Sequence, residues 1–112
     1  MRISKALLHD YLSHVTVAYF ARRHTPPDDM EDYGPAIEDI RKRALREGRA
    51  DEFRVALDFM KAHPEIHPRE FLTLTFPYSN QQLHELMAYI RDYLYPFDDP
   101  TPPEELADAE LD

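Results

Sequence analysis

Gly34-Pro-Ala-Ile-Glu-Asp-Ile-Arg-Lys-Arg-Ala-Leu-Arg-Glu-Gly-Arg-Ala-Asp-Glu-Phe-Arg-Val-Ala-Leu-Asp-Phe-Met-Lys-Ala62 holds two helical patterns separated by one glycine. Pro35 suits a first helical turn, where its missing N–H costs nothing. Ile37, Ile40, Ala44 and Leu45 form a thin apolar stripe. Glu38 and Asp39 precede Arg41, Lys42, Arg43 and Arg46, the order that a helix dipole favours. Gly48 reads as a left-handed C-terminal cap. From about Asp51 to Ala62, Phe53, Ala56, Leu57 and Met60 recur at i, i+3, i+4 and i+7, with Val55 and Phe59 widening the face. Two helices so close in sequence must turn back on each other, which predicts an αα-hairpin.

Outward from the hairpin, more helix is expected on both sides. Ser4 can cap a first helix running to about Arg23. Lys5, His9, Ser13 and Thr16 line its polar stripe, and Leu7, Leu8, Tyr11, Leu12, Val15, Ala18 and Tyr19 cover most of the rest. A helix this apolar belongs in the centre of a bundle. Thr25-Pro-Pro-Asp-Asp29 breaks it and leads into an acidic loop. On the other side, His63-Pro-Glu-Ile-His-Pro68 is punctuation, because residues before proline avoid the helical region. Ser79-Asn-Gln-Gln82 has the form of a capping box. The helix it opens, to about Leu94, carries Leu83, Leu86, Met87, Ile90 and Leu94 as the cleanest stripe in the chain. Phe71-Leu-Thr-Leu-Thr-Phe76 fits a short helix after Pro68. Its period-two alternation also fits a strand, the alternative that would make the fold α+β.

Composition bounds the rest. At 112 residues the chain is one small domain. It has no cysteine, hence neither disulfides nor thiolate chemistry. The longest apolar-leaning uncharged run, Tyr11 to Ala21, falls well short of the ~20 residues that span a bilayer. The N-terminus lacks a signal-peptide pattern, so a cytoplasmic location is expected. The formal charge of −9 is unevenly placed. Asp98, Asp99, Glu104, Glu105, Asp108, Glu110 and Asp112 fall in a stretch with no Lys or Arg, which leaves residues 1–97 nearly neutral. Pro100, Pro102 and Pro103 favour an extended backbone there. The expected architecture is therefore mostly α: a four- to five-helix bundle over residues 1–96, with the αα-hairpin in its middle, and a disordered acidic tail over 97–112.

Several chemistries are disfavoured. With only Gly34 and Gly48, no glycine-rich phosphate loop can form. No serine stands in a nucleophile elbow. His63 and His67 have helical ligand spacing but lie in a proline-rich turn, and Asp10, His14 and Glu70 could join them only if the fold converged. A metal-dependent enzyme on His63 and His67 is thus an alternative, while neither metal nor cofactor is the primary expectation. Arg41, Lys42, Arg43, Arg46 and Arg49, with Arg54 beyond, could bind anions. A nucleic-acid-binding hairpin masked by the acidic tail is the second alternative. Six acids from Asp28 to Asp39 adjoin this run and oppose a strong positive field. Tyr78, Tyr89, Tyr93 and Tyr95 gather around the last helix, and tyrosine is enriched at protein interfaces. The leading expectation is a non-enzymatic protein-binding factor (a regulator, inhibitor or assembly helper), homodimeric through this tyrosine-rich surface.

Overall fold

The computed structural model describes residues 2–21, 29–74 and 78–112. Its elements in order are β1 (Arg2–Ile3), α1 (Lys5–Phe20), a 3-10 turn (Met30–Tyr33), α2 (Gly34–Glu47), α3 (Ala50–Ala62), a second 3-10 turn (Pro68–Glu70), α4 (Asn80–Leu94), α5 (Pro103–Ala107) and β2 (Glu110–Leu111). The fold is a small, mostly α bundle. α1 packs on α2, and α3 packs on α4.

The local signals act as read. Ser4 caps α1 by accepting the Leu7 N–H at 3.1 Å. Gly48 takes φ 68°, a conformation that costs side-chain-bearing residues free energy. It lets the Gly48 and Arg49 N–H groups close back on the Leu45 and Ala44 carbonyls at 3.3 and 2.9 Å. That double closure satisfies the end of α2, and α3 starts two residues later. At α4 the capping box is complete: Ser79 Oγ accepts the Gln82 N–H at 3.1 Å, and Gln82 Oε1 accepts the Ser79 N–H at 2.8 Å. Ser79→Ala removes one of these bonds and should lower stability by about 1 kcal/mol, measured as a shift in the urea midpoint at constant slope.

α1 buries its apolar positions mainly against α2 and, less extensively, against α3. Leu7, Leu8, Tyr11, Leu12 and Val15 have no exposed surface, and Ile3 of β1 extends the same core. Thr16, expected on the polar stripe, is also buried. Its hydroxyl donates to the Leu12 carbonyl at 2.9 Å, so burial leaves no polar atom unpaired. The helix ends at Phe20, while Arg22 and Arg23 of the expected span lie outside the described residues.

Phe71–Leu74 forms neither helix nor strand. The 3-10 turn ends with the Leu72 N–H on the Pro68 carbonyl at 2.8 Å; Leu72 is buried, with Phe71 and Leu74 partly buried beside it. A strand would need a neighbouring strand, and here α1 lies alongside instead, with His9 Nε2 3.3 Å from the Thr73 carbonyl and Lys5 over the Phe71 ring. The remainder of the 71–76 expectation, residues 75 and 76, lies outside the described residues.

Residues 97–112, where the sequence leads one to expect a disordered acidic tail, lie along the body as an arm. Thr101 and Leu106 are each 5% exposed. β2 pairs in parallel with β1, Arg2 opposite Glu110 and Ile3 opposite Leu111, and the Asp112 N–H reaches the Ile3 carbonyl at 2.8 Å. The arm's carboxylates stay on the outside, while Leu106, Leu111, the Thr101 side chain and the backbone supply most of its contacts. A negative composition therefore does not prevent seating.

Candidate functional site

The arm is held where α3 and α4 lie side by side. Asp58 of α3 and Arg91 of α4 are both buried, at 5% and 6% exposure. Arg91 Nε donates to Asp58 Oδ1 at 2.6 Å. The second oxygen, Oδ2, accepts from the Thr101 N–H at 2.9 Å and from the Thr101 hydroxyl at 2.8 Å. The other guanidinium nitrogens reach three carbonyls: Tyr95 at 2.7 Å, Asp98 at 3.1 Å and Asp99 at 3.3 Å. Arg54, one turn before Asp58, adds a bond to the Asp99 carbonyl at 3.4 Å. Burial pushes the Asp58 carboxyl upward, but Arg91 and the two Thr101 donors outweigh it and hold the group below its ordinary value. Each buried side-chain nitrogen and oxygen of this cluster has a hydrogen-bond partner, which is the condition under which a buried ion pair is tolerated.

The consequence is a loop, Tyr95–Thr101, with a fixed backbone. At its tip stands Phe97, which is 97% exposed. Beside it lies a groove of about 550 Å³ between α3 and the arm. A second groove of about 450 Å³ lies between α3, α4 and α5, lined by Lys61, Ala62, Pro96 and Leu106 among others.

The four tyrosines do not share one surface. Tyr78 is buried and its hydroxyl meets that of Tyr33 at 2.6 Å. Tyr95 donates to the Ala50 carbonyl at 2.7 Å and thereby ties the end of α4 to the start of α3. Burial pushes its hydroxyl up to about 12. Tyr89 and Tyr93 remain as a half-buried pair one turn apart, their ring centres 6.1 Å from each other.

The basic run is largely neutralised by its own hairpin. Arg41 pairs with Glu38 at 3.1 Å, Arg43 with Glu47 at 3.2 Å and Arg49 with Glu52 at 2.9 Å. Arg43 also lies over the Tyr11 ring, 4.9 Å from its centre, while Tyr11 donates to Glu47 at 2.8 Å. Lys42 and Arg46 are exposed. The arm reaches Arg54, whose Nε is 3.9 Å from the Asp98 carboxylate; the contacts of Arg41, Arg43 and Arg49 are with other groups.

His63 and His67 serve different neighbours. His63 Nδ1 lies 2.9 Å from Glu65 and its ring packs on Phe59, centres 4.4 Å apart. His67 Nδ1 accepts from the Asn80 amide at 2.9 Å. Asp10 lies 3.7 Å from His9, and His14 is 3.4 Å from Arg43. Among the described residues, no three side chains of the metal-ligating types converge. No described helix is long and apolar enough to cross a membrane. No family model, curated protein or solved structure matches the chain.

Sequence reasoning missed the Asp58–Arg91–Thr101 cluster and the Phe97 tip. A signal for the first was present. Asp58 interrupts the apolar run from Ala56 to Met60, and Arg91 follows directly on the buried Ile90. An acid and a base, each set inside an apolar face of successive helices, are natural partners.

Proposed function

We propose that this protein is a non-catalytic protein-binding factor, a regulator, inhibitor or assembly helper, whose contact surface centres on the Tyr95–Thr101 loop. One observation carries the reading: a phenylalanine with 97% of its surface in water, on a loop whose carbonyls are fixed by a buried arginine. Isolated exposed apolar residues are common on protein surfaces. Phe97 differs because its support is ordered in advance, so a partner that covers it spends little entropy on the loop. Aromatic anchors of this kind dominate interface energies. The half-buried Tyr89–Tyr93 pair offers a second contact region on α4, the helix that leads into this loop, consistent with a partner that spans more than one patch.

The test is quantitative affinity capture from native lysate with the full chain and its Phe97→Ser variant as baits. The variant should keep the wild-type melting temperature, since Phe97 contributes little buried area. It should lose a partner that wild type enriches. Identical captured sets would remove the Phe97 surface from consideration. Light scattering on the same two proteins tests the expected homodimer. A Phe97-dependent dimer mass would identify the partner as a second copy.

A further inference from the structure

The groove beside Phe97 has a charge character that specifies its partner, and the following rests on the protein-binding reading above. Asp51, Asp98, Asp99 and Glu105 line it against one cation, Arg54. Arg54 is already engaged, with Asp98 at 3.9 Å, Asp58 at 3.8 Å and the Asp99 carbonyl. Its apolar lining comes from Val55 of α3, Pro100 and Pro102 of the arm, and Phe97. A groove of about 550 Å³ holds a few side chains rather than a folded element.

A purely apolar occupant would strip water from these carboxylates without replacing it, which is costly. An acidic occupant would add like-charge repulsion. A side chain with a long aliphatic stem and a cationic head meets both demands. Its stem lies along Val55, Pro100 and the Phe97 ring, and its head reaches the carboxylates at the rim. The ring face offers a further attraction to a guanidinium. We infer that the groove between α3 and the arm receives an extended, arginine-bearing peptide segment of a partner protein, with Phe97 stacked against the arginine and Asp99 and Glu105 neutralising it.

The experiment uses the full chain and three fluorescein-labelled ten-residue peptides: alternating Arg and Leu, alternating Glu and Leu, and alternating Ser and Leu. Fluorescence anisotropy should show saturable binding of the Arg–Leu peptide alone. Raising salt from about 50 to 300 mM should weaken it, because rim ion pairs are screened. Phe97→Ala should weaken it about thirtyfold, as for a hot-spot side chain. Asp99→Lys/Glu105→Lys should weaken it further. Melting curves of both variants should overlay the wild type, because all three side chains are exposed. Binding of the Arg–Leu peptide that ignores Phe97→Ala would mean diffuse charge attraction and overturns the site. A preference for the Glu–Leu or Ser–Leu peptide, or no binding of the Arg–Leu peptide, overturns it as well. So does a Phe97-dependent homodimer that excludes the peptide. If lysate capture depends on Phe97 while the Arg–Leu peptide fails to bind, only this assignment of chemistry falls. If capture also ignores Phe97, the protein-binding reading falls with it.

Discussion

Arg91→Met should destabilise the protein by about 3–5 kcal/mol, the usual cost of removing one partner from a buried ion pair. The variant leaves Asp58 at 5% exposure without its guanidinium and frees the Tyr95, Asp98 and Asp99 carbonyls at once. Exposed pairs set the comparison. Arg49–Glu52 has shorter contacts than many, at 2.9 Å, but both side chains face water. Arg49→Met should cost less than about 1 kcal/mol. Urea unfolding of both variants separates the two cases. A loss below about 1 kcal/mol for Arg91→Met would mean that the Asp58–Arg91 pair is wet and the arm is not seated on it. Replacing both partners, as Asp58→Leu with Arg91→Met, should recover part of the loss, since no bare charge stays inside. Recovery should be incomplete, because the Thr101 N–H and hydroxyl then lack their acceptor.

The same cluster predicts a pH dependence. The folded-state value of Asp58 lies below its ordinary one. The unfolded chain therefore takes up the proton first as pH falls, and stability declines from roughly pH 5 downward through the depressed folded value. Above that range the contribution is fully present. Glu47 and Glu52 are also held low, by Tyr11 and Arg49 respectively, so acid destabilises the wild type through several groups. The Asp58→Leu/Arg91→Met protein should consequently show a shallower fall in urea midpoint between pH 6 and pH 3 than wild type. Parallel curves would assign the acid limb to the other carboxylates.

The helices were legible because their causes are local. Gly48, the Ser79–Gln82 box and the stripes of α3 and α4 each act within a few residues, and the observed bounds follow them closely. The arm was not legible, for a physical reason. Its prolines and carboxylates describe how the segment behaves in water, but its seating depends on a surface made by α3, α4 and β1. Thr101, Leu106 and Leu111, with the small Ala109, carry that information, and so few side chains among sixteen residues form no periodic pattern. Leu106 and Leu111 are isolated apolar residues in an otherwise polar and acidic segment, and both pack on the chain's own core. The tyrosines are ambiguous in the same way. An interface tyrosine and a tyrosine tying two helices together are identical in sequence, and only the Ala50 carbonyl beneath Tyr95 distinguishes them.

Phe53→Ala should be as damaging as the loss of Arg91, at about 3–5 kcal/mol, for a different reason. Phe53 lies on the first turn of α3, has no exposed surface and meets Tyr11 of α1 edge to face, ring centres 4.8 Å apart at 70°. It joins the α1–α2 half of the bundle to the α3–α4 half. Tyr11 cannot move to fill the vacancy cheaply, since its hydroxyl is bonded to Glu47 and Arg43 lies over its face. A site that cannot collapse keeps its cavity, which places the cost toward the upper end of the range. A domain of this size has about 5–15 kcal/mol in total, so the variant should melt more than about 10 °C below wild type. Leu45→Ala is the control on the same hairpin: Leu45 is 66% exposed, and its loss should shift the midpoint little. Phe53→Leu should fall between them, because it keeps most of the buried volume but loses the edge-to-face contact. If Phe53→Ala melted within a few degrees of Leu45→Ala, the two helix pairs would not share one core through this contact, and the placement of α3 against α1 would be wrong.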